Sequence, residues 1–160
     1  MNETMETSTM ENNNTEMNDG ENTNTMIVIS KVKKFIKEFG YNTSANFCDI
    51  VSADIQKSID EAIKHAQKQS RKTVMGRDFN LYVDDPKIET VLVVASKVKA
   101  YIKEKAGLST SSQAMDQLTV RVHQICYQAI EHAKKDKRKT VMDRDFVAPT
   151  MIVASPSRDA

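Results

Sequence analysis

Apolar positions along the chain recur at three- and four-residue spacing, and they do so twice. Val28, Val32, Phe35, Ile36 and Phe39 make one short stripe, and Val94, Val98, Tyr101 and Ile102 make a second. Each predicts an amphipathic helix, over 28–39 and 94–105. Lys31, Lys33, Lys34 and Lys37 fill the opposite face of the first, and Lys97, Lys99 and Lys103 that of the second. Gly40 and Gly107 stop these helices, because glycine accepts the left-handed backbone of a helix end. The loops YNTS and LSTS follow and offer Ser and Thr as caps for whatever comes next.

Two longer stripes come after the loops. Cys48, Val51, Ile55, Ile59, Ala62 and Ala66 form one, widened by Phe47, Ile50 and Ile63. Met115, Leu118, Val122, Cys126, Ala129 and Ala133 form the other. They predict long helices over roughly 44–68 and 111–135, each about 40 Å in length at 1.5 Å per residue. A lone helix of this kind has no core of its own, whereas crossing an equivalent helix supplies one. The alanines permit close approach.

The phrase SRKTVMGRDF at 70–79 then returns as KRKTVMDRDF at 137–146. Arg-Lys-Thr-Val is short and β-branched and is expected to run extended, with Thr73 and Thr140 capping a last helical turn. Asp-Asp-Pro after Phe79 and Pro149 after Phe146 limit that third helix to one or two turns. Aligning the phrases brings the rest into register, at an offset of 66 up to Phe39 and 67 from Gly40. About 25 of 54 aligned positions are identical. Two copies are too few for a solenoid. They fit a two-fold arrangement in which each half covers the other's apolar face, the second loop of each beside the first loop of the other.

Charge changes the picture of what such a body does. Lys and Arg number 23 against 22 Asp and Glu, a formal charge of +1. Residues 1–25 hold six acids (Glu3, Glu6, Glu11, Glu16, Asp19, Glu21) and no Lys or Arg, while 26–146 hold 22 basic and 15 acidic side chains. A basic body of about +7 therefore stands behind an acidic segment whose Asn, Thr, Glu and Met show no apolar period. That segment is expected to be disordered, and it has neither the basic nor the apolar region of a signal peptide. The apolar runs MIVI and VLVVA are too short to span a bilayer, which takes about 20 residues.

Short helix, long helix, a loop with Arg-Lys-Thr-Val, then a turn carrying Asp: in this order residues 26–146 resemble archaeal-type histones. They resemble still more the small bacterial histones with a shortened last helix. The resemblance implies an all-α chain of two tandem histone folds, 26–79 and 92–146, joined by a linker at 80–91 and ending in a tail at 147–160. In that family two such units pair in a handshake, their long helices crossing antiparallel; here both partners lie in one chain, an intramolecular pseudo-dimer. By the family pattern Arg71 with Asp78, and Arg138 with Asp145, clamp the second loops. Lys72, Thr73, Lys139 and Thr140, beside Arg71 and Arg138, match the family's contacts to DNA phosphates. Two departures stand out. The last helix, which helps archaeal histones assemble beyond the dimer, is truncated, and the N-terminal segment is acidic where eukaryotic tails are basic.

These readings name double-stranded DNA as partner, held without sequence preference, with self-association open, and the nucleoid or chromosome within the cytoplasm as the place. Lys31, Lys33, Lys34, Lys97 and Lys99 serve either as further duplex contacts or as a solubilising face. Arg77 and Arg144 reach phosphate or solvent. A rival reading is a histone-fold scaffold that binds protein, and the modest charge and acidic segment favour it. No cofactor, metal or small-molecule substrate is implied. His65 and His132 occupy equivalent positions and read as helix-end caps or packing residues, and no CxxC or HxxxH spacing exists. Cys48 and Cys126 read as buried free thiols. Without a Gly-rich phosphate loop, a nucleophile–base pair or an isolated carboxylate pair, the chain reads as not an enzyme.

Overall fold

A computed structural model describes residues 25–157. The acidic segment read as disordered lies outside these residues except for Thr25, which is buried. The elements run α1 (Ile29–Lys37), β1 (Asn42–Thr43), α2 (Ala45–Lys68), β2 (Thr73–Val74) and a 3-10 turn (Gly76–Asp78). Then come α3 (Ala95–Ala106), β3 (Ser109–Thr110), α4 (Ser112–Lys135), β4 (Thr140–Val141) and a second 3-10 turn (Asp143–Asp145).

The local chemistry differs slightly between the halves. Ser44 starts α2 by accepting a hydrogen bond from the Phe47 N–H at 3.2 Å, whereas Ser111 at the start of α4 makes no such cap. Gly107 ends α3 in the left-handed conformation, at φ 71°. The long helices both end through a non-glycine residue in that region, Ser70 at φ 56° and Lys137 at φ 57°. Each reversal sends the next N–H back to the helix, Arg71 to the Ala66 carbonyl and Arg138 to the Ala133 carbonyl, both at 3.0 Å. It thereby aims the two loop arginines.

The long helices α2 and α4 are each 24 residues and pack against one another, burying both long stripes. Ile50 is the exception, staying partly exposed. Burial of an Ile or Leu such as Ile55, Ile59, Leu118 or Ile125 stabilises by about 1.5–3 kcal/mol, so this seam dominates the stability of the fold.

Contacts across the seam obey the repeat. Asp54 and Arg121 are equivalent positions and face each other: Arg121 donates from Nε at 2.6 Å and from Nη2 at 3.1 Å to the two Asp54 oxygens. Ahead of α1 and α3 the chain pairs antiparallel. The Val28 N–H donates to the Leu92 carbonyl and the Val94 N–H to the Met26 carbonyl, both at 2.8 Å, with Ile27 opposite Val93. Ser52 of α2 takes the Met26 N–H and its equivalent Thr119 of α4 takes the Leu92 N–H. The strands cross between halves as well, β1 parallel to β4 and β2 parallel to β3. These pairings are reciprocal, as in an isologous interface.

The two sides of the seam have nevertheless diverged. Phe35 lies against His123 (ring centroids 4.5 Å), Tyr127 (5.9 Å) and Phe39 (5.5 Å). At the equivalent place Tyr101 donates to Asp60 at 2.6 Å, and Lys105 joins the same oxygen at 2.8 Å. Lys105 is the counterpart of Phe39, so one side is an aromatic cluster and the other a charged network.

The connections are tied down by side-chain amides. Gln117 of α4 accepts from the Val83 N–H at 2.9 Å and donates to the Val83 carbonyl at 2.8 Å, fixing the segment after the first 3-10 turn. Among the described residues no helix is long and apolar enough to cross a membrane.

Candidate nucleic-acid interface

Each end of the molecule joins a first loop to a second loop of the other half. At one end β1 lies beside β4, Asn42 opposite Thr140 and Thr43 opposite Val141, and the Asn42 N–H donates to the Lys139 carbonyl at 2.8 Å. At the other end β3 lies beside β2, Ser109 opposite Thr73 and Thr110 opposite Val74, and the Ser109 N–H donates to the Lys72 carbonyl at 2.9 Å. Lys72 and Lys139 are exposed, Thr73 and Thr140 half-buried, Val74 and Val141 fully buried. The β-branched residue anchors the short strand in the core and leaves the lysine before it at the surface.

Thr73 and Thr140 do not cap the last turn, contrary to the expectation from sequence. They belong to the strands, and the turn begins after Met75 and Met142. Its capping acceptor is the carboxylate inside it. Asp78 accepts from the Met75 N–H at 2.7 Å and Asp145 from the Met142 N–H at 2.8 Å.

Those two carboxylates are fully buried and carry further partners. Arg71 donates from Nη1 to Asp78 Oδ2 at 3.0 Å and to the Thr73 carbonyl at 3.0 Å, and its Nη2 bonds Asp78 Oδ1. Arg138 repeats this on Asp145 at 2.9 and 2.6 Å and on the Thr140 carbonyl at 3.0 Å. The guanidinium fork thus ties the turn to the strand and holds the Lys-Thr pair from behind. Both Nη groups of each arginine are committed in this way, which leaves the lysines as the outward cations of the loops. Arg138 also donates from Nε to Asp136 at 2.8 Å, whereas the residue equivalent to Asp136 in the first half is the uncharged Gln69.

His65 and His132 complete the clamps. They are neither the helix-end caps nor the packing residues expected from sequence: His65 Nδ1 lies 2.7 Å from Asp78 Oδ1 and His132 Nδ1 lies 2.8 Å from Asp145 Oδ1. The signal is present in the repeat, since both copies place the histidine 13 residues before the aspartate.

The electrostatics follow. Burial alone would raise the Asp78 carboxyl, but the Arg71, Met75 and His65 bonds outweigh it and hold it down to about 2. Asp145 is likewise held well below the usual range against its own burial, by Arg138, His132 and Met142. Both stay ionised wherever the protein is folded at ordinary pH.

The ends are not alike. Lys139 Nζ sits 5.2 Å from the centroid of the Tyr41 ring, a cation–π contact. Leu108 stands where Tyr41 would serve Lys72. At the Lys139 end Lys37 also donates to the Asn42 side chain at 3.0 Å. Gly76, whose counterpart is Asp143, lets α4 come close: a Cβ there would lie 3.1 Å from Gln117 Cγ and 3.3 Å from Gln113 Cβ.

The first-helix lysines lie apart from the loops in sequence. Lys31, Lys33, Lys34 and Lys99 are exposed and Lys97 is half-buried. The antiparallel pairing at Ile27 and Val93 sets the N-termini of α1 and α3 side by side. Neither has an acidic first turn or a side-chain cap, so two positive helix ends lie near one another. Arg77 and Arg144 are exposed, Arg144 lying 3.8 Å from Asp136.

Among the described residues no group of three or more His, Cys, Asp or Glu side chains could hold a metal. Cys48 and Cys126 are free and buried. Burial pushes the Cys48 thiol up to about 11 and raises Cys126 as well, so neither is a ready thiolate.

No family model matches the sequence, and no curated protein matches it. Among solved structures the chain is similar to the histone from Methanopyrus kandleri, with a TM-score of 0.55 and 21% sequence identity over 74% of this chain and 89% of that one. At that identity the likeness establishes the fold, and the chain is a mostly helical protein with a histone fold.

Proposed function

We propose that the chain is a histone doublet, a single-chain pair of histone folds that acts as a non-enzymatic architectural protein on duplex DNA. The observation that carries this reading is the construction of the two loop ends. Each sets an exposed lysine and a threonine on a strand paired with the other half's first loop, and braces them from behind with an Arg–Asp–His clamp built on a buried aspartate. Two such grips on one rigid body suit two stretches of phosphate backbone, and phosphate contacts position a duplex without reading its sequence. Lys31, Lys33, Lys34, Lys97 and Lys99 add positive charge, and the paired N-termini of α1 and α3 offer a third place for a phosphate. The similarity of fold to a histone supports the same reading.

The test is a gel shift with duplex DNA at several salt concentrations. Lys72→Glu with Lys139→Glu weakens binding to all sequences alike and flattens the plot of log affinity against log salt by roughly 1.8, about 0.9 for each phosphate that is no longer neutralised. Unchanged affinity overturns the loop assignment. The protein-scaffold reading, favoured by the surplus of only about seven positive charges, prevails if the chain ignores duplex DNA at low salt with and without residues 1–24.

A further inference from the structure

The strand that leads into α1 is written a third time, near the C-terminus. Residues 25–30 read TMIVIS and residues 150–155 read TMIVAS, five of six identical; the copy before α3, VLVVAS at 91–96, shares the same last Val-Ala-Ser. The first two copies pair with each other, and their apolar side chains are core: Met26 is 6% exposed, Ile27 1%, Leu92 2% and Val93 3%. In the third copy the matching side chains face solvent, Met151 at 63% and Ile152 at 48%. Among the described residues no strand pairs with it.

A side chain stands in for the missing strand. In the paired copies the Val28 and Val94 N–H groups each donate to a backbone carbonyl of the other copy. At the third copy the equivalent Val153 N–H donates to the Gln124 side-chain oxygen at 2.6 Å, and Gln124 Nε2 reaches the Val153 carbonyl at 3.4 Å. A primary amide offers the donor and acceptor of a peptide unit. It satisfies the backbone of the segment at Val153, and it does nothing to cover Met151 or Ile152.

We propose that residues 150–155 are a pairing strand for a second copy of this chain. Two chains join tail to tail, their 150–155 segments antiparallel and Ile152 opposite Ile152 of the second copy, in the register by which Ile27 faces Val93. Pairing replaces the Gln124 amide by backbone and sets the exposed Ile152 side chains of the two chains against each other. The two-fold relation closes the contact at two chains. Pro149 and Pro156 flank the strand and cannot donate to a ladder, which keeps it from extending. A sequence that already pairs with its own relative inside the chain is the reason to name a copy of itself as the occupant.

Sedimentation of the full chain, without DNA, reads the outcome directly. The weight-average mass rises with concentration from 18.0 kDa toward twice that value. Met151→Asp with Ile152→Asp, at side chains that are exposed in the single chain, holds it at the lower value at all concentrations. Under mild oxidation Ile152→Cys forms a disulfide-linked dimer and Thr150→Cys does not, because the register sets 150 opposite 154. A mass of 18.0 kDa up to about 1 mM protein, a dimer that survives the double aspartate, or equal cross-linking of the two cysteine variants each overturns the proposal. A cross-link formed on mixing Ile152→Cys chains with Val93→Cys chains overturns it too, by placing the strand on the first ribbon of the second copy. None of these readouts involves DNA, so they stand or fall separately from the proposed function.

Discussion

Asp54 and Arg121 occupy the same place in the two halves, so any pairing of like halves would set Asp against Asp or Arg against Arg. Only unlike halves bring the opposite charges together. The pair is bidentate and mostly shielded, with 8% and 14% of the side chains exposed. Removing one partner of a buried pair costs about 3–5 kcal/mol; the remaining exposure of Arg121 puts Asp54→Ala near the lower figure, about 3 kcal/mol. Asp54→Arg is worse, because two guanidinium groups then face each other, a repulsion of up to about 4 kcal/mol at 4 Å and an effective dielectric of 20. The charge-swapped double variant, Asp54→Arg with Arg121→Asp, recovers most of the loss. Urea unfolding of the four proteins measures it: at about 1–3 kcal/mol per molar urea, Asp54→Arg lowers the midpoint by one molar or more and the swap restores most of it. If the two single effects simply add in the double variant, to within about 0.5 kcal/mol, the pair is not coupled and does not select unlike halves.

Three other outcomes follow from the geometry. The Asp78 carboxyl is held below its ordinary 3.8, so the clamp's contribution is fully present above about pH 4 and is lost as pH falls through about 2. That is a loss of about 2 kcal/mol, visible as a falling melting temperature between pH 4 and 2 that is shallower in Asp78→Asn; an equally steep fall in the variant refutes it. Gly76→Asp, which copies the other half's residue, forces a side chain against Gln117 and Gln113 and destabilises by about 1–3 kcal/mol, whereas an unchanged urea midpoint shows that α4 yields freely. Removing residues 1–24, with six acids and no Lys or Arg, tightens DNA binding at low salt. The gain disappears at about 1 M salt, where the screening length is near 3 Å; equal binding with and without the segment at low salt refutes a competing role for it.

The helices are legible in the sequence because their burial follows one period. Cys48 to Ala66 and Met115 to Ala133 lie on one stripe each, and a stripe of that length has one use in a chain this size. The repeat makes the rest readable, since a residue found in one half can be checked in the other. What escapes are polar side chains whose partners are main-chain atoms far along the chain. Ser52 and Thr119 look like interruptions of an apolar stripe, and nothing local reveals that they receive the Met26 and Leu92 N–H groups. Gln117 and Gln124 are hidden in the same way, their amides bonding Val83 and Val153 over 34 and 29 residues. Thr73 and Thr140 mislead because a Thr before a helical turn is a good cap, and here the turn's own aspartate already holds that N–H.

The divergence between the halves bears on how the two loop ends differ under the proposed function. A pair of identical units would present two equal ends. In this chain Tyr41 holds Lys139 while Leu108 leaves Lys72 without a ring, and Arg138 shares its charge with Asp136 while Arg71 faces Asp78 and the Thr73 carbonyl. The Lys139 end is therefore the more ordered and the more nearly neutral of the two, and the Lys72 end the freer cation. Order lowers the entropy lost when a lysine is fixed on a phosphate, whereas an adjacent acid weakens its long-range attraction. On the proposed DNA-binding reading the two ends divide these advantages between them, and Lys72 is expected to govern the salt-dependent encounter and Lys139 the lifetime of the contact. Fusing both halves into one chain is what permits this, because a residue such as Tyr41 or Asp136 is then altered at one end alone.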